Sequence, residues 1–375
     1  MNRDNFSSLI TGIGVIALII GFGVYFNIQE SNLDDMPLEF KSNLTEIDKL
    51  QFKKAKDFTG ITGYLNTEPI ALSDLENKVI LIDFWTYSCI NCIRTIPYLN
   101  SWYEKYNDLG LEIIGIHTPE FEFEKDIKNV EGAIERFDIE YLVLQDNNKE
   151  TWNEYDNRYW PRKYLIDHEG YLRYNHIGEG AYNETEGVIQ SLLKERSVNL
   201  GLLDTKLYSN NVTNGIPKLD KIHDVDFSQI KTPELYFGYD FTRSSLGNAE
   251  GFQKDEIVSY IINKSKVKPN MIYLDGRWKN NPDHMELQSD TGKIVLLYSA
   301  KAVNIVAGGI GNGTVIQDKK SIISEISGNG ITENGYFDID RQQLYNLIIN
   351  EEYGDHLLEI NVSGKGFKIY TFTFG

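Results

Sequence analysis

The chain has 375 residues, more than one hydrophobic core usually fills, so two domains are expected. Its formal net charge of −18 and pI near 4.8 argue against nucleic acid as a ligand and against attraction to an anionic membrane surface. The same acidic balance is compatible with a location outside the cytoplasm.

Residues Leu9 to Phe26 form an apolar stretch interrupted only by Thr11 and glycines. A bilayer core needs about 20 apolar residues, so this stretch just spans one as a single transmembrane helix. A cleaved secretory signal is the competing reading. Asn27-Ile28-Gln29-Glu30 is a poor cleavage site, which favours an uncleaved anchor over residues 1–30. Arg3 precedes the stretch, and Glu30, Asp34 and Asp35 follow it. Positive-inside logic keeps the amino terminus in the cytoplasm and sends the rest out. Residues 31–50 are polar and acidic and read as a tether.

Phe58 to Leu72 reads as a short hairpin, and Val79–Trp85 as a central strand. A helix is expected over Asn91–Tyr106, with Ile93, Ile96, Leu99, Trp102 and Tyr103 on its apolar face. Leu111–Ile116 is a second, parallel strand, Lys125–Phe137 a second helix and Tyr141–Leu144 a short strand. Lys163–Ile166 and Tyr171–His176 bracket a turn at Asp167–Gly170, which signals a hairpin. Thr185–Leu193 closes the unit as a helix. This order predicts an α/β domain over residues 51–200, a mixed sheet between helices. Periodicity weakens over 201–231, which reads as a linker. From 232 to 375 helical patterns nearly vanish. Short apolar runs alternate with Gly, Asn and Asp, and the chain closes on the alternation Gly366 to Phe374. That pattern predicts an all-β sandwich, jelly-roll-like.

The only two cysteines, Cys89 and Cys92, follow the central strand directly and open the first helix. A helix N-terminus carries roughly half a positive charge and favours a thiolate at Cys89. Cys92 lies a turn further in, where it can resolve a mixed disulfide. Asp83 sits on the strand among Ile, Leu and Phe, so it is expected to be buried and to take a proton from Cys92. Pro161 precedes an apolar strand and is a candidate cis-proline, with Trp160 beside it along a substrate groove. His117 and Glu120 follow the second strand at the sheet end that carries Cys89, and are candidates for tuning it. The histidines lack metal-type spacing, so no metal is expected. Ile93 stands where covalent haem would need His. In the other domain, Trp278 and clustered tyrosines either pack in the core or stack on sugar rings.

Asp83-Phe-Trp-Thr-Tyr-Ser-Cys89-Ile-Asn-Cys92-Ile-Arg-Thr-Ile-Pro97 resembles the active site of the thioredoxin fold. Gly115-Ile-His-Thr-Pro-Glu120 and Asn157-Arg-Tyr-Trp-Pro161 narrow the resemblance to the extracytoplasmic part of DipZ-type and TlpA-like proteins. It covers about Ala55 to Arg196. Residues from Thr232 onward resemble the small β domain of DipZ-type proteins, which is similar to carbohydrate-binding modules. Thr95 departs from the Glu that many tethered relatives carry there. The T-x-x-C at Thr86–Cys89 also matches peroxiredoxins, but Ile82 stands where their proline is expected. The resemblance implies a membrane-anchored thiol–disulfide oxidoreductase whose only redox group is the Cys89–Cys92 disulfide, with no cofactor. It implies exported cysteine-containing proteins as substrates and a membrane electron donor of the CcdA type. Oxidation of thiols, or glycan binding on a redox-inert scaffold, are the alternatives. Pro161 is then the residue that holds the partner chain.

Overall fold

The computed structural model describes residue 49 and residues 51–202, 225–263, 267–323, 326–328 and 330–375. The expected membrane anchor, nearly all of the tether and most of the linker lie outside these residues. Among the described residues, no helix is long and apolar enough to cross a membrane.

The first sheet contains β1 (Gly63–Leu65), β2 (Val79–Trp85), β3 (Leu111–His117), β4 (Leu142–Gln145), β5 (Arg162–Ile166) and β6 (Leu172–Ile177), in the order β1-β4-β3-β2-β5-β6. β2, β3 and β4 run parallel, and the other pairings are antiparallel. The central strands β2 and β3 are buried at every position. This is why both read as unbroken apolar runs rather than alternations.

Side chains alternate across a strand, so β2 feeds two cores. Val79 and Leu81 join helices α1 (Ile90–Tyr106), α2 (Ile127–Arg136) and α4 (Tyr182–Asn199). Ile80, Ile82 and Phe84 face Trp152 and Tyr155 around the short α3 (Glu150–Glu154) and the chain before β2. Ile96, Leu99 and Trp102 of α1 are at most 2% exposed. Burying each aliphatic side chain of this kind contributes about 1.5–3 kcal/mol. The layering is thioredoxin-like. One expectation fails: residues 58–72 form no hairpin. β1 pairs instead with β4, residues 63–65 against 143–145, and the Thr62 N–H donates to the Gln145 carbonyl at the end of that ladder.

The second unit is β7 (Leu235–Tyr236), β8 (Ile257–Tyr260), β9 (Tyr273–Asn280), β10 (Met285–Leu287), β11 (Thr291–Gly308), β12 (Gly311–Gln317), β13 (Lys320–Ser321), β14 (Tyr336–Ile339), β15 (Gln343–Ser363) and β16 (Lys368–Phe374). The named strands pair antiparallel in one hydrogen-bonded network around a single apolar core. The all-β expectation is met, as a large antiparallel network with strands far longer than the short runs of the sequence. Its axis is the ladder of β11 on β15, 18 and 21 residues long. The register slips between Ala300 and Ala302, a bulge that lets a strand of this length bend.

The two units pack together. Tyr236 of β7, Val306 of β11 and Tyr370 of β16 join the same apolar cluster as α1 and α4.

Candidate active site

The C-terminal ends of β2 and β3 meet at one edge, and the cysteines stand there. Cys89 is the N-cap of α1, with extended backbone (φ −80°, ψ 116°). Its sulfur accepts the Cys92 N–H at 3.4 Å. Both cysteines are free thiols, Cys89 half-buried and Cys92 buried. An attacker from solvent therefore meets Cys89 first. Burial pushes the Cys92 thiol well above its ordinary value of 9.0, and the nearby Cys89 and Asp83 push it the same way.

Asp83 lies inside, two residues before the end of β2. Register places it directly across from Lys163 of β5. Lys163 Nζ is 3.7 Å from Asp83 Oδ1, and both side chains are almost fully buried. Burial raises the Asp83 carboxyl from 3.8 to about 6, while the Lys163 ammonium opposes the rise. A carboxyl of this kind is a base above pH 6, and its charge acts on the buried Cys92 thiol. Sequence reasoning found Asp83 and missed Lys163. The available signal was a lysine at an inward position of an apolar strand.

Trp160–Pro161 is a cis peptide bond, and Pro161 is buried. It directly precedes Arg162, which pairs with Phe84. Pro161 thus stands at the sheet end where β2 runs into the cysteine turn. The Trp160 indole donates to the Thr118 carbonyl at 2.9 Å, and its ring lies 4.3 Å from that of Trp152. Trp160 is thereby fixed to the loop after β3.

His117 ends β3 beside Trp85 and is fully buried. Its ring lies flat against Tyr87 at 5.7 Å and edge-on to Trp85 at 5.2 Å. Nε2 is 3.4 Å from the Thr86 hydroxyl. Burial lowers its pKa from 6.5 to about 3, so the ring is neutral at physiological pH, and its contacts are with Trp85, Thr86 and Tyr87.

Glu120 turns toward the β domain. The Tyr236 hydroxyl is 2.7 Å from both Glu120 Oε1 and Glu234 Oε2. One hydroxyl has one proton, so the second contact needs a proton on a carboxyl. Burial, then the charges of Glu234 and Glu124, raise Glu120 from 4.5 to about 8. The three groups thus hold two protons between them across the domain junction. Glu124, which sequence reasoning passed over, is fully buried and accepts the Ser88 hydroxyl at 2.5 Å.

Among the described residues, His168, Glu169 and Glu195 form the one cluster with metal-type geometry. Lys49 pairs with both glutamates and Arg173 with Glu195, so cations already occupy it. Trp278 is fully buried and its indole donates to the Asp275 carbonyl, so it offers no face to a sugar.

Both units are similar to known proteins. Residues 52–175 match the AhpC/TSA family, and residues 232–375 match the domain described as thioredoxin-like C-terminal. The protein DipZ of Mycobacterium bovis is 35% identical over 352 residues, which is 93% of this chain and 45% of that protein. DipZ of Mycobacterium tuberculosis matches to the same extent. The chain thus spans about half the length of these curated relatives. The thiol–disulfide oxidoreductase ResA of Bacillus cereus is 30% identical over 146 residues, 39% of this chain and 80% of ResA.

Proposed function

We propose, from the premise that the chain belongs to the thioredoxin-like thiol–disulfide oxidoreductases, that it reduces disulfides in exported cysteine-containing proteins while held at the outer face of a membrane. The observation that carries the reading is the asymmetry of the pair: a reachable Cys89 at a helix N-terminus and a buried Cys92 in the field of Asp83.

The chemistry follows from that asymmetry. The Cys89 thiolate attacks one sulfur of a substrate disulfide, and the other substrate sulfur leaves as a thiolate. Cys92 gives its proton to Asp83 and attacks Cys89, which releases the second substrate thiolate. The substrate has gained two electrons and Cys89–Cys92 has become a disulfide. A membrane dithiol donor of the CcdA type restores it by the reverse exchange. Every step is sulfur exchange and proton transfer, so the cycle uses no metal or organic cofactor. Pro161 and Trp160, beside the cysteine turn, hold the partner's backbone. The apolar stretch Leu9–Phe26 supports the anchor.

The test is disulfide reduction by the purified chain, with insulin as substrate. Cys89→Ser abolishes turnover, and Cys92→Ser accumulates mixed disulfides with partner proteins. In the reduced native protein, alkylation of Cys92 well ahead of Cys89 would overturn the assignment of the nucleophile. A reduction potential near −270 mV, as in thioredoxin, marks a reductase, and one near about −120 mV marks an oxidase instead.

A further inference from the structure

The turn that precedes the nucleophile is tied to a buried acid on another element. Glu124 lies in a short 3-10 turn, Glu122–Lys125, after β3. One carboxylate oxygen accepts the Ser88 hydroxyl at 2.5 Å. The other accepts two backbone N–H groups, Glu120 at 2.6 Å and Phe121 at 2.9 Å. Ser88 is the residue immediately before Cys89, and it is also buried. A carboxyl group with these donors is held in one place in the wall of the redox turn.

The β domain covers this arrangement. Phe121 packs against Tyr370 at 5.2 Å and Phe241 at 5.6 Å, and Phe123 meets Tyr370 at 4.7 Å. Phe121 is 1% exposed as a result. Rings from the second domain thus press on the very turn whose N–H groups Glu124 caps, and water is kept from the carboxylate.

We propose that Glu124 is a positioning residue for the redox turn, anchored to Ser88 and kept dry by the β domain, and that it sets the dithiol–disulfide equilibrium of Cys89 and Cys92. The inference rests on the reading of that pair as a redox couple. A carboxylate tied to the residue before the redox pair favours the state with less negative charge at the sulfurs, the disulfide. The acid comes from a different element than the position of Thr95, where tethered relatives of this resemblance carry theirs. Burial raises the Glu124 carboxyl, and its hydrogen bonds from Ser88, Thr86 and the backbone pull it back toward the ionised form. Loss of the Ser88 hydroxyl therefore favours protonation of Glu124, with the same consequence at Cys89 as removal of the charge.

The experiment is redox equilibration of the full chain with glutathione at pH 7. Two glutathione thiols become one disulfide as Cys89–Cys92 is reduced to two thiols. Glu124→Gln keeps the shape of the side chain and removes its charge. It is expected to shift the equilibrium about tenfold toward the dithiol, about 30 mV for two electrons. Ser88→Ala, which leaves both backbone caps in place, shifts it in the same direction by at least twofold. Tyr370→Leu, which lets water reach the turn, also moves it. Glu122→Gln, an exposed acid of the same turn, leaves it unchanged. A shift under twofold in Glu124→Gln or in Ser88→Ala overturns the proposal, as does an equal shift in Glu122→Gln. No movement in Tyr370→Leu overturns the part assigned to the β domain. Should Glu124→Gln fold poorly, Ser88→Ala decides the question by itself. Failure of the wild-type chain to exchange with glutathione at all strikes the redox reading, not this one.

Discussion

Asp83→Asn separates the proton chemistry of the site from its shape. Cys92 has a thiol raised well above 9.0. At pH 7 a thiol with a pKa of 9 is about 1% thiolate, and Cys92 has less. Unaided, resolution of a mixed disulfide is slowed by about a hundredfold or more. Asp83, at about 6, is about 90% ionised at pH 7 and ready to accept the proton. A positioned base contributes about 10²–10⁴-fold, which covers the deficit. Asparagine preserves the volume and removes the base. The expected result is a fall of about a hundredfold in the resolution step at pH 7, read by stopped flow from a preformed mixed disulfide on Cys89. In the wild type the step slows about tenfold between pH 7 and pH 5 as Asp83 protonates. In the variant the rate instead climbs steadily with pH toward the titration of Cys92 itself. Stability offers an independent readout. The folded pKa of Asp83 lies above its unfolded value of 3.8, so the folded state binds the proton more tightly. Stability is therefore lost as pH rises from 3.8 to about 6, by about 3 kcal/mol, and is level above that. Asparagine removes that slope. Equal resolution rates from pH 5 to 9 in the two proteins would refute the shuttle.

Glu120→Gln tests the shared protons. Glu120 is raised from 4.5 to about 8, so it withdraws stability as pH rises through that window, and the variant's denaturation midpoint should vary less over the same range. A midpoint as pH-dependent as that of the wild type would count against the junction network. Tyr370→Ala opens a cavity between the domains and should cost about 3–5 kcal/mol in urea unfolding of the full chain. An unchanged midpoint would mean that the aromatic contacts carry no stability. A reporter fused after Gly375 should be active outside the cytoplasm, and activity only inside would reverse the proposed topology.

The redox end of the molecule was legible because its signals are local. Two cysteines at a strand-to-helix joint, an acid in an apolar strand and a proline before another strand all lie within short windows. Lys163 and Glu124 were not legible, because each acquires meaning from a residue far along the chain. Lys163 matters through the register that sets β5 against β2, and Glu124 through Ser88. The β domain shows the same limit. Its strands show in the sequence as short apolar runs, but the full lengths of β11 and β15 do not. A bulge looks like a strand end when the partner that continues the ladder is out of view. Glu120 was sought near Cys89 on the strength of its sheet end. Its side chain follows Tyr236, a residue 116 positions away.

The cover over the redox turn also has a history in time. Tyr370 is made about 249 residues after Phe121, the ring it shelters. At about 5–20 residues per second, that interval is about 12–50 s. Once Ile177 completes the first sheet, Phe121 and Phe123 still wait for the Tyr370 ring over the rest of that interval. A newly made chain therefore displays an aromatic patch next to its cysteines well before the final strand arrives.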